Sequence, residues 1–277
     1  MNFSNWYEPI LYIAALVAFG FGCRTCDNRF ILKLGWIAFL AASYLGGLFI
    51  SGGSHWVGAT AVAMWFLLPW LEIVGRVRKL RFPIKSEVKH RFPPSRDLFP
   101  DLDALSAEAE KAGFEEIEDT GWKWDETDHF MRLFYHKEKK TQAAISLAQQ
   151  GEFAFSYVSL TSRTGDGLSA TTSNYPFSFT MKFSPNQLVN RFAGAETMDD
   201  LIKSHEKFLE RNHVKKDELA QYDTGRLHSY LERDMISQIN HNISARIIEP
   251  VGNGLFRYSW RGCIFLWVQV VKDMIRV

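Results

Sequence analysis

Three long apolar runs in the first third of the chain constrain its fold more than any other feature. A helix rising 1.5 Å per residue needs about 20 residues, and at least about 17, to cross a hydrocarbon layer of roughly 30 Å. The second and third runs meet this length, and the first meets it if it extends to about residue 25. The sequence therefore predicts a membrane anchor over residues 1–81. Its predicted transmembrane helices lie at about 9–25, 34–50 and 56–74.

The basic residues near these runs all fall on one side of the predicted membrane. Residues 24–33 carry three of them, whereas the amino terminus and the loop SGGSH carry no Lys or Arg. The positive-inside tendency assigns the basic side to the cytoplasm. We therefore expect a bacterial inner membrane protein with its amino terminus outside and residues 76–277 in the cytoplasm. The predicted inner-surface anchor is Arg76, Arg78, Lys79 and Arg81.

A cleaved secretory signal is the alternative for the first run. Such a signal requires positive charge before the apolar segment, and MNFSNWYEP contains no Lys or Arg. An uncleaved helix is favoured, with Phe3, Trp6 and Tyr7 at the membrane interface. At the end of the third run, Glu72 lies four residues before Arg76, which is the favourable spacing for an ion pair on a helix.

The middle of each apolar run contains no ionisable side chain. Because transporters usually need such groups near the membrane midplane, a transport pathway built by this chain alone is not expected. Small residues spaced by four allow helix backbones to approach closely, within the hairpin or with a partner helix. These residues are Ala38, Ala42, Gly46, Ala59 and Ala63.

The rest of the chain has the composition of a water-soluble domain. Acids slightly outnumber bases after residue 81, which argues against a nucleic-acid-binding module. Residues 82–100 contain four prolines and are expected to form a charged, extended linker. Residues 101–213 are then expected to form a cytosolic α+β domain, and residues 214–277 a helical carboxy-terminal segment.

Residue patterns predict the elements of the α+β domain. After Asp101, apolar residues recur at the spacing of one helix face and predict a helix. A second helix is predicted to begin after Thr197, which is a suitable N-cap. Between these helices, alternating stretches separated by short turns predict an antiparallel β-meander of five to six strands, the last being FSFTMKF at 177–183. Helices are expected to flank this sheet. A further helix is predicted at about 226–244.

The last residues of the chain predict an amphipathic helix that begins near Trp260. Basic and polar residues form one arc, and Trp260 and Trp267 flank it. The apolar core of this helix is too short for a fourth transmembrane span. Two placements remain open: a position at the membrane surface, or docking on the sheet or the membrane hairpin. Contact with the membrane or the hairpin is favoured.

Cys23-Arg-Thr-Cys26 is the one recognised motif. Two thiols at this spacing beside a cation are typical of a redox dithiol or of half a zinc site. However, no second pair of ligands lies nearby, and the motif follows an apolar run rather than a strand. A palmitoylated or metal-linked cysteine is another alternative, and inert thiols are the favoured interpretation.

The histidines do not predict a metal site. His129 and His136 are seven residues apart, so on one strand they face opposite sides. His205 lies on the apolar face of a predicted helix and is expected to be a hydrogen-bonded core residue. The acids that accompany the first two histidines are Asp125, Glu126 and Asp128.

No recognised catalytic motif is present. The turn TGDG at 164–167 lacks the lysine of a phosphate-binding loop, and no serine-hydrolase, zinc-protease or kinase signature occurs. We therefore expect a non-enzymatic integral membrane protein whose cytosolic domain binds a partner protein or small ligand. A membrane-tethered enzyme and a subunit of a larger membrane complex are the alternatives. No cofactor is expected.

Overall fold

The computed structural model describes residues 7–26, 28–124 and 127–276. The chain divides into two compact units. The first, called the helical unit, contains residues 1–80, 178–180 and 258–277; the second, called the sheet unit, contains residues 81–177 and 181–257. Phe3 and Trp6 of the predicted interface residues, and Asp125 and Glu126 of the acidic group, lie outside the described residues.

The described elements follow one another in a helix-rich, strand-rich, helix-rich order. The helices are α1 (Tyr7–Arg24), α2 (Arg29–Ile50), α3 (His55–Gly75), α4 (Leu102–Lys111), α5 (Met198–Arg211), α6 (Leu227–Ser244) and α7 (Trp260–Arg276). The strands are β1 (Phe82–Pro83), β2 (Lys89–His90), β3 (Glu115–Trp124), β4 (Thr127–His136), β5 (Thr141–Gln150), β6 (Phe153–Arg163), β7 (Ser169–Ser173), β8 (Gln187–Arg191), β9 (Ile248–Gly252) and β10 (Leu255–Tyr258).

Two described helices are long and apolar enough to cross a membrane. They comprise residues 30–50 of α2 and residues 55–79, which cover α3 and the turn after it. Only 28% of the apolar stretch in α2 and 11% of that in α3 are buried, unlike a core helix of a soluble protein. Among the described residues, α1 does not reach the same length and hydropathy, so the prediction of three transmembrane helices is not confirmed.

Glycines allow the first three helices to pack closely. A Cβ atom on Gly47 of α2 would lie 2.7 Å from the Cα of Gly58 on α3. A Cβ atom on Gly35 would likewise lie 3.0 Å from the carbonyl oxygen of Gly20 on α1. Because these neighbours are backbone atoms that cannot rotate away, any side chain at either position would push the helices apart.

The small residues predicted to mediate packing are only partly used. Ala38 and Ala42 are buried. By contrast, Gly46 has open space where a Cβ would stand, and Ala59 is exposed. The closest α2–α3 contact therefore falls one residue away from the predicted positions, because one step along a helix rotates the contact face by about 100°.

The sheet unit contains a seven-stranded sheet with the order β2-β3-β4-β5-β6-β7-β8. Neighbouring strands are antiparallel from β2 to β7, whereas β7 and β8 are parallel. Helices flank this sheet, so the predicted α+β architecture is correct. The sheet is mixed, however, and the purely antiparallel meander was wrong at its last strand.

The predicted strand at 177–183 does not form. The backbone N–H of Ser178 and its hydroxyl donate to the carboxylate of Asp273 on α7, at 2.7 and 2.5 Å. The N–H of Lys182 donates to the Asn242 side chain on α6 at 2.9 Å. Helical side chains thus satisfy backbone groups that a neighbouring strand would otherwise pair. The chain passes on to β8, which pairs with β7 from Ser169↔Gln187 onward.

Two parts of the predicted linker join sheets. Phe82 of β1 pairs with Phe256 of β10, in a small sheet ordered β1-β10-β9. Strand β2 pairs with β3, which makes it the edge of the larger sheet. Strands β9 and β10 form a hairpin, and in the turn between them Asn253 and Gly254 have φ values of 52° and 70°. An Asn-Gly pair adopts this left-handed geometry readily.

Both faces of the large sheet are covered by apolar residues. On one face α4 and α5 pack over Phe134, Ile145 and Leu160. On the other, Tyr222 and Leu227 of the α6 region pack over residues that include Tyr135. The second face also contains a buried guanidinium, that of Arg163, which forms an ion pair with Asp234 of α6.

Helix α7 packs against α3 within the helical unit. The indole N–H of Trp267 donates to the carbonyl oxygen of Phe66 at 2.7 Å, and its ring lies edge-on to Trp70 at 6.3 Å. The guanidinium of Arg78 lies 4.1 Å from the centre of the Trp260 ring. The two helices therefore run in opposite directions, since Trp260 precedes Trp267 while Arg78 follows Phe66.

Candidate functional site

A groove of about 370 Å³ opens in the sheet unit between the chain that leads into β2 and the end of β3. Basic side chains and two indoles dominate its lining, and one carboxylate is present. The lining residues are Pro83, Lys85, Ser86, Glu87, Lys89, Arg91, Gly121, Trp122, Lys123 and Trp124. We call this feature the basic groove.

The pairing of β2 with β3 builds the floor of the basic groove. Lys89 pairs with Gly121, and the Thr120 hydroxyl donates to the carbonyl oxygen of Lys89 at 2.9 Å. A Cβ atom on Gly121 would lie 2.0 Å from the carbonyl oxygen of His129 on β4. Only glycine allows the three strands to approach this closely, so Gly121 fixes the shape of the floor.

The basic groove has an excess of positive charge. Lys89 pairs with Glu87 at 2.8 Å, and this hydrogen bond lowers the pKa of Glu87 and raises that of Lys89. Asp128 lies 3.5 Å from Arg91 and 3.8 Å from Lys123. These pairs are exposed or partly exposed and contribute little stability, so their cations are available to an incoming anion.

Lys85 adds a further cation to the basic groove. Its side chain is exposed, and it forms no ion pair within the part of the chain that the structure describes. Four basic side chains, at positions 85, 89, 91 and 123, thus share one concave surface. Ammonium and guanidinium groups arranged in this way suit a phosphate or carboxylate.

Aromatic contacts hold the two indoles of the basic groove. Trp124 packs on Phe82, with ring centres 5.2 Å apart. Trp122 stacks on His129, with ring centres 4.0 Å apart and planes only 4° from parallel. Because both rings are fixed from behind, they give the basic groove rigid, partly apolar walls.

His129 supports Trp122 as a neutral side chain. Burial lowers the pKa of His129 to about 4 and raises that of Tyr157 to about 12. His129 Nε2 lies 3.0 Å from the Tyr157 hydroxyl, whereas the buried Nδ1 has no hydrogen-bond partner in the described structure. We assign the proton to Nε2, since an unpaired acceptor at Nδ1 costs less than an unpaired buried N–H.

The other predicted histidines lie away from the basic groove. His136 is at the opposite end of β4 and contacts Phe114 edge-on at 5.2 Å. His205 is buried, and its ring nitrogens lie 3.0 Å from the hydroxyls of Ser162 and Thr172. Burial lowers the pKa of His205 to about 4. These contacts give His205 a role in the core of the sheet unit.

The cysteine pair lies in the helical unit. Cys23 is buried near the end of α1, and Cys26 is exposed just after it. Both are free thiols, as is the buried Cys263 of α7. Among the described residues, no group of three His, Cys, Asp or Glu side chains is arranged to hold a metal ion.

Arg76, one of the four predicted inner-surface cations, forms a local ion pair. Glu72 pairs with Arg76 at 3.0 Å, the contact expected from their spacing. Lys79 is exposed, and Arg78 and Arg81 are partly buried. All four cations follow directly after the apolar stretch of α3.

The basic groove was not predicted from the sequence. Its cations belong to a stretch interpreted as a linker, and they become neighbours of Trp122 only when β2 pairs with β3. The available signal was Gly121, a glycine inside a strand pattern, which often marks close backbone approach. Comparisons with protein-family models, curated proteins and solved structures find no match to this chain.

Proposed function

We propose that this chain is an integral protein of the bacterial inner membrane that holds an α+β ligand-binding domain at the cytoplasmic surface. The apolar length of α2 and α3, and their largely exposed surfaces, support the anchor. We include α1 as a third span, because its 18 residues rise about 27 Å. The amino terminus is then outside, and the cations that follow α3 lie at the cytoplasmic surface.

The ligand of the domain is a small anion that binds in the basic groove. The observation that carries this proposal is the convergence of four cations and two indoles on one surface with a single carboxylate in its lining. The cations match phosphate or carboxylate oxygens, and the indole walls favour a ligand that also has a flat or apolar part. Binding sites of this size commonly hold small molecules.

Affinity purification with ligand analysis tests this proposal. The tagged full-length chain is purified from its native membrane in mild detergent, and co-purifying small molecules are identified by mass spectrometry. The double substitution Lys85→Gln, Lys123→Gln should reduce recovery of an anionic ligand by roughly tenfold or more, because each charge-assisted contact contributes about 1.5 to 3 kcal/mol.

Lys137→Gln is the matched control for the double substitution. Lys137 is an exposed lysine that pairs with Glu115 at the opposite end of the sheet from Lys123. The Lys137→Gln substitution should leave ligand recovery unchanged. Equal recovery from the double variant and the native chain would contradict the proposed binding site.

Reporter fusions test the anchor separately from the ligand. A fusion after residue 54 should report the outside, and a fusion after residue 90 should report the cytoplasm. Labelling of the exposed Cys26 with a membrane-impermeant maleimide should occur only from the cytoplasmic side. The reverse pattern would contradict the proposed orientation.

A further inference from the structure

Exposed and partly exposed aromatic side chains lie at one end of the large sheet. Phe153, the first residue of β6, is 83% exposed, and Phe177 is 52% exposed. The ring of Phe177 lies 5.1 Å from that of Phe155, two residues further along β6. Single exposed apolar residues are common, but several together mark a contact surface.

Strand register places these aromatic residues in line with the basic groove. Trp124 pairs with Thr127, Thr127 with Gln150, and Gln150 with Phe153. With strands about 4.8 Å apart, Trp124 and Phe153 are separated by roughly 14 Å along the same sheet end. We call this end, defined by Trp124, Phe153 and Phe177, the aromatic end.

Chain connectivity links the aromatic end to the predicted anchor. The chain passes between the two units after residues 80, 177, 180 and 257. The first crossing is two residues before Phe82, whose ring lies 5.2 Å from Trp124, and the second follows Phe177 itself. The last crossing follows Arg257, next to Phe256, which pairs with Phe82. Three of the four covalent connections therefore leave from beside the aromatic end.

The short connection at Phe82 limits how far the aromatic end can lie from lipid. Arg81 is adjacent to Phe82 in sequence, and even a fully extended chain spans only about 3.6 Å per residue. Cations at 76–81 held among lipid headgroups thus keep Phe82 and Trp124 close to the membrane surface. Aromatic side chains are enriched at this interface between hydrocarbon and water.

From these observations we infer that the aromatic end docks on the cytoplasmic surface of the same bilayer. Phe153 enters the boundary between headgroups and acyl chains. This inference rests on the membrane anchor of the proposed function and is independent of any ligand in the basic groove. Because Glu152 stands beside Phe153, apolar burial rather than positive charge drives the contact at Phe153. Docking therefore occurs on zwitterionic lipid and persists at high salt.

Fluorescence quenching by labelled lipid tests the contact in the full-length chain. The chain carries Cys26→Ser, since Cys23 and Cys263 are buried, and is reconstituted in phosphatidylcholine vesicles that contain a lipid with a headgroup nitroxide. A dye is attached at Gln150→Cys, which leaves Phe153 intact, or at Glu138→Cys in the turn at the opposite sheet end. Strong quenching is expected at residue 150 and little at residue 138.

Phe153→Ser supplies the side-chain test. It should shift the docking equilibrium measured at residue 150 by roughly tenfold or more, because a buried phenylalanine ring is lost from the contact. Unchanged quenching after this substitution, or equal quenching at residues 150 and 138, would overturn the inference.

A third label separates failure of the docking from failure of the anchor. Leu68 of α3 is 56% exposed, and a dye at Leu68→Cys should be quenched by a nitroxide on the acyl chain if α3 lies in lipid. Quenching at residue 68 without quenching at residue 150 would overturn the docking and leave the anchor intact. Absence of quenching at residue 68 would overturn the anchor, and the docking with it.

Discussion

Replacement of His129 by phenylalanine should make the sheet unit less sensitive to acid. His129 is buried, and its pKa falls from 6.5 to about 4 on folding. The unfolded chain therefore binds more protons than the folded chain between these two values. Stability from the neutral ring is fully present above pH 6.5 and is lost as the pH falls towards 4.

The size of this effect follows from the pKa difference. At about 1.4 kcal/mol per pH unit, His129 accounts for a loss of ~3 kcal/mol between pH 6.5 and 4. Protonation would also add a buried N–H at Nδ1, which has no described partner. Phenylalanine keeps a flat ring against Trp122 but loses the contact with Tyr157, at a cost of about 1 kcal/mol near neutral pH.

Thermal unfolding of the full-length chain in mild detergent measures the effect. The melting temperature is followed by near-ultraviolet circular dichroism from pH 7.5 to 4.5 at constant ionic strength. The melting temperature of His129→Phe should be below that of the native chain at pH 7.5. Between pH 7.5 and pH 4.5, the melting temperature of the variant should rise relative to that of the native chain by roughly 4 to 8 °C. His90→Gln, which alters an exposed histidine of β2, is the control and should follow the native curve.

Parallel melting curves for His129→Phe and the native chain would refute this reasoning. They would mean that His129 has the same proton affinity in the folded and unfolded chain. His205, whose pKa is also lowered to about 4 by burial, keeps the native fold acid-sensitive in both proteins, so a shift rather than abolition is expected.

Two further substitutions test the packing of each unit. Asp234→Ala should lower the free energy of unfolding by about 3 kcal/mol, because it leaves the buried Arg163 unpaired. The double variant Arg163→Met, Asp234→Leu should recover most of that stability in thermal or denaturant unfolding. Gly47→Ala should lower the stability measured by melting in detergent by about 2 kcal/mol, because its Cβ would lie 2.7 Å from the Cα of Gly58. Gly46→Ala is the control, because its Cβ meets open space and the substitution should leave stability unchanged. Equal stability of the two alanine variants would contradict close helix packing at Gly47.

Elements whose interactions are local were the most predictable from the sequence. The helix after Thr197 begins where its N-cap indicates, since the Thr197 hydroxyl accepts from the N–H of Asp200 at 3.2 Å. The residue patterns and turns before it likewise predict strands β3 to β6, because strand propensity and the alternation of side chains between two faces are properties of a single strand.

Features that depend on distant partners were not predictable in the same way. FSFTMKF has a strand pattern, yet the side chains of Asp273 and Asn242, each 60 or more residues away, bind its backbone. The basic groove forms only because the two residues of β2 pair with β3, and a two-residue strand has no periodicity that a sequence pattern could reveal. Sequence patterns report which surface is apolar, but they do not report which partner covers it.

The contact between α3 and α7 can form only late in the synthesis of this chain. The Trp267 indole and the Phe66 carbonyl that it binds are 201 residues apart. At about 5 to 20 residues per second, a ribosome needs about 10 to 40 s to add the intervening chain. During that time the Phe66–Trp70 face of a newly made α3 lacks the helix that covers it. A translation product that stops before Trp260 would carry that uncovered face for its whole lifetime, even with every strand of the large sheet complete.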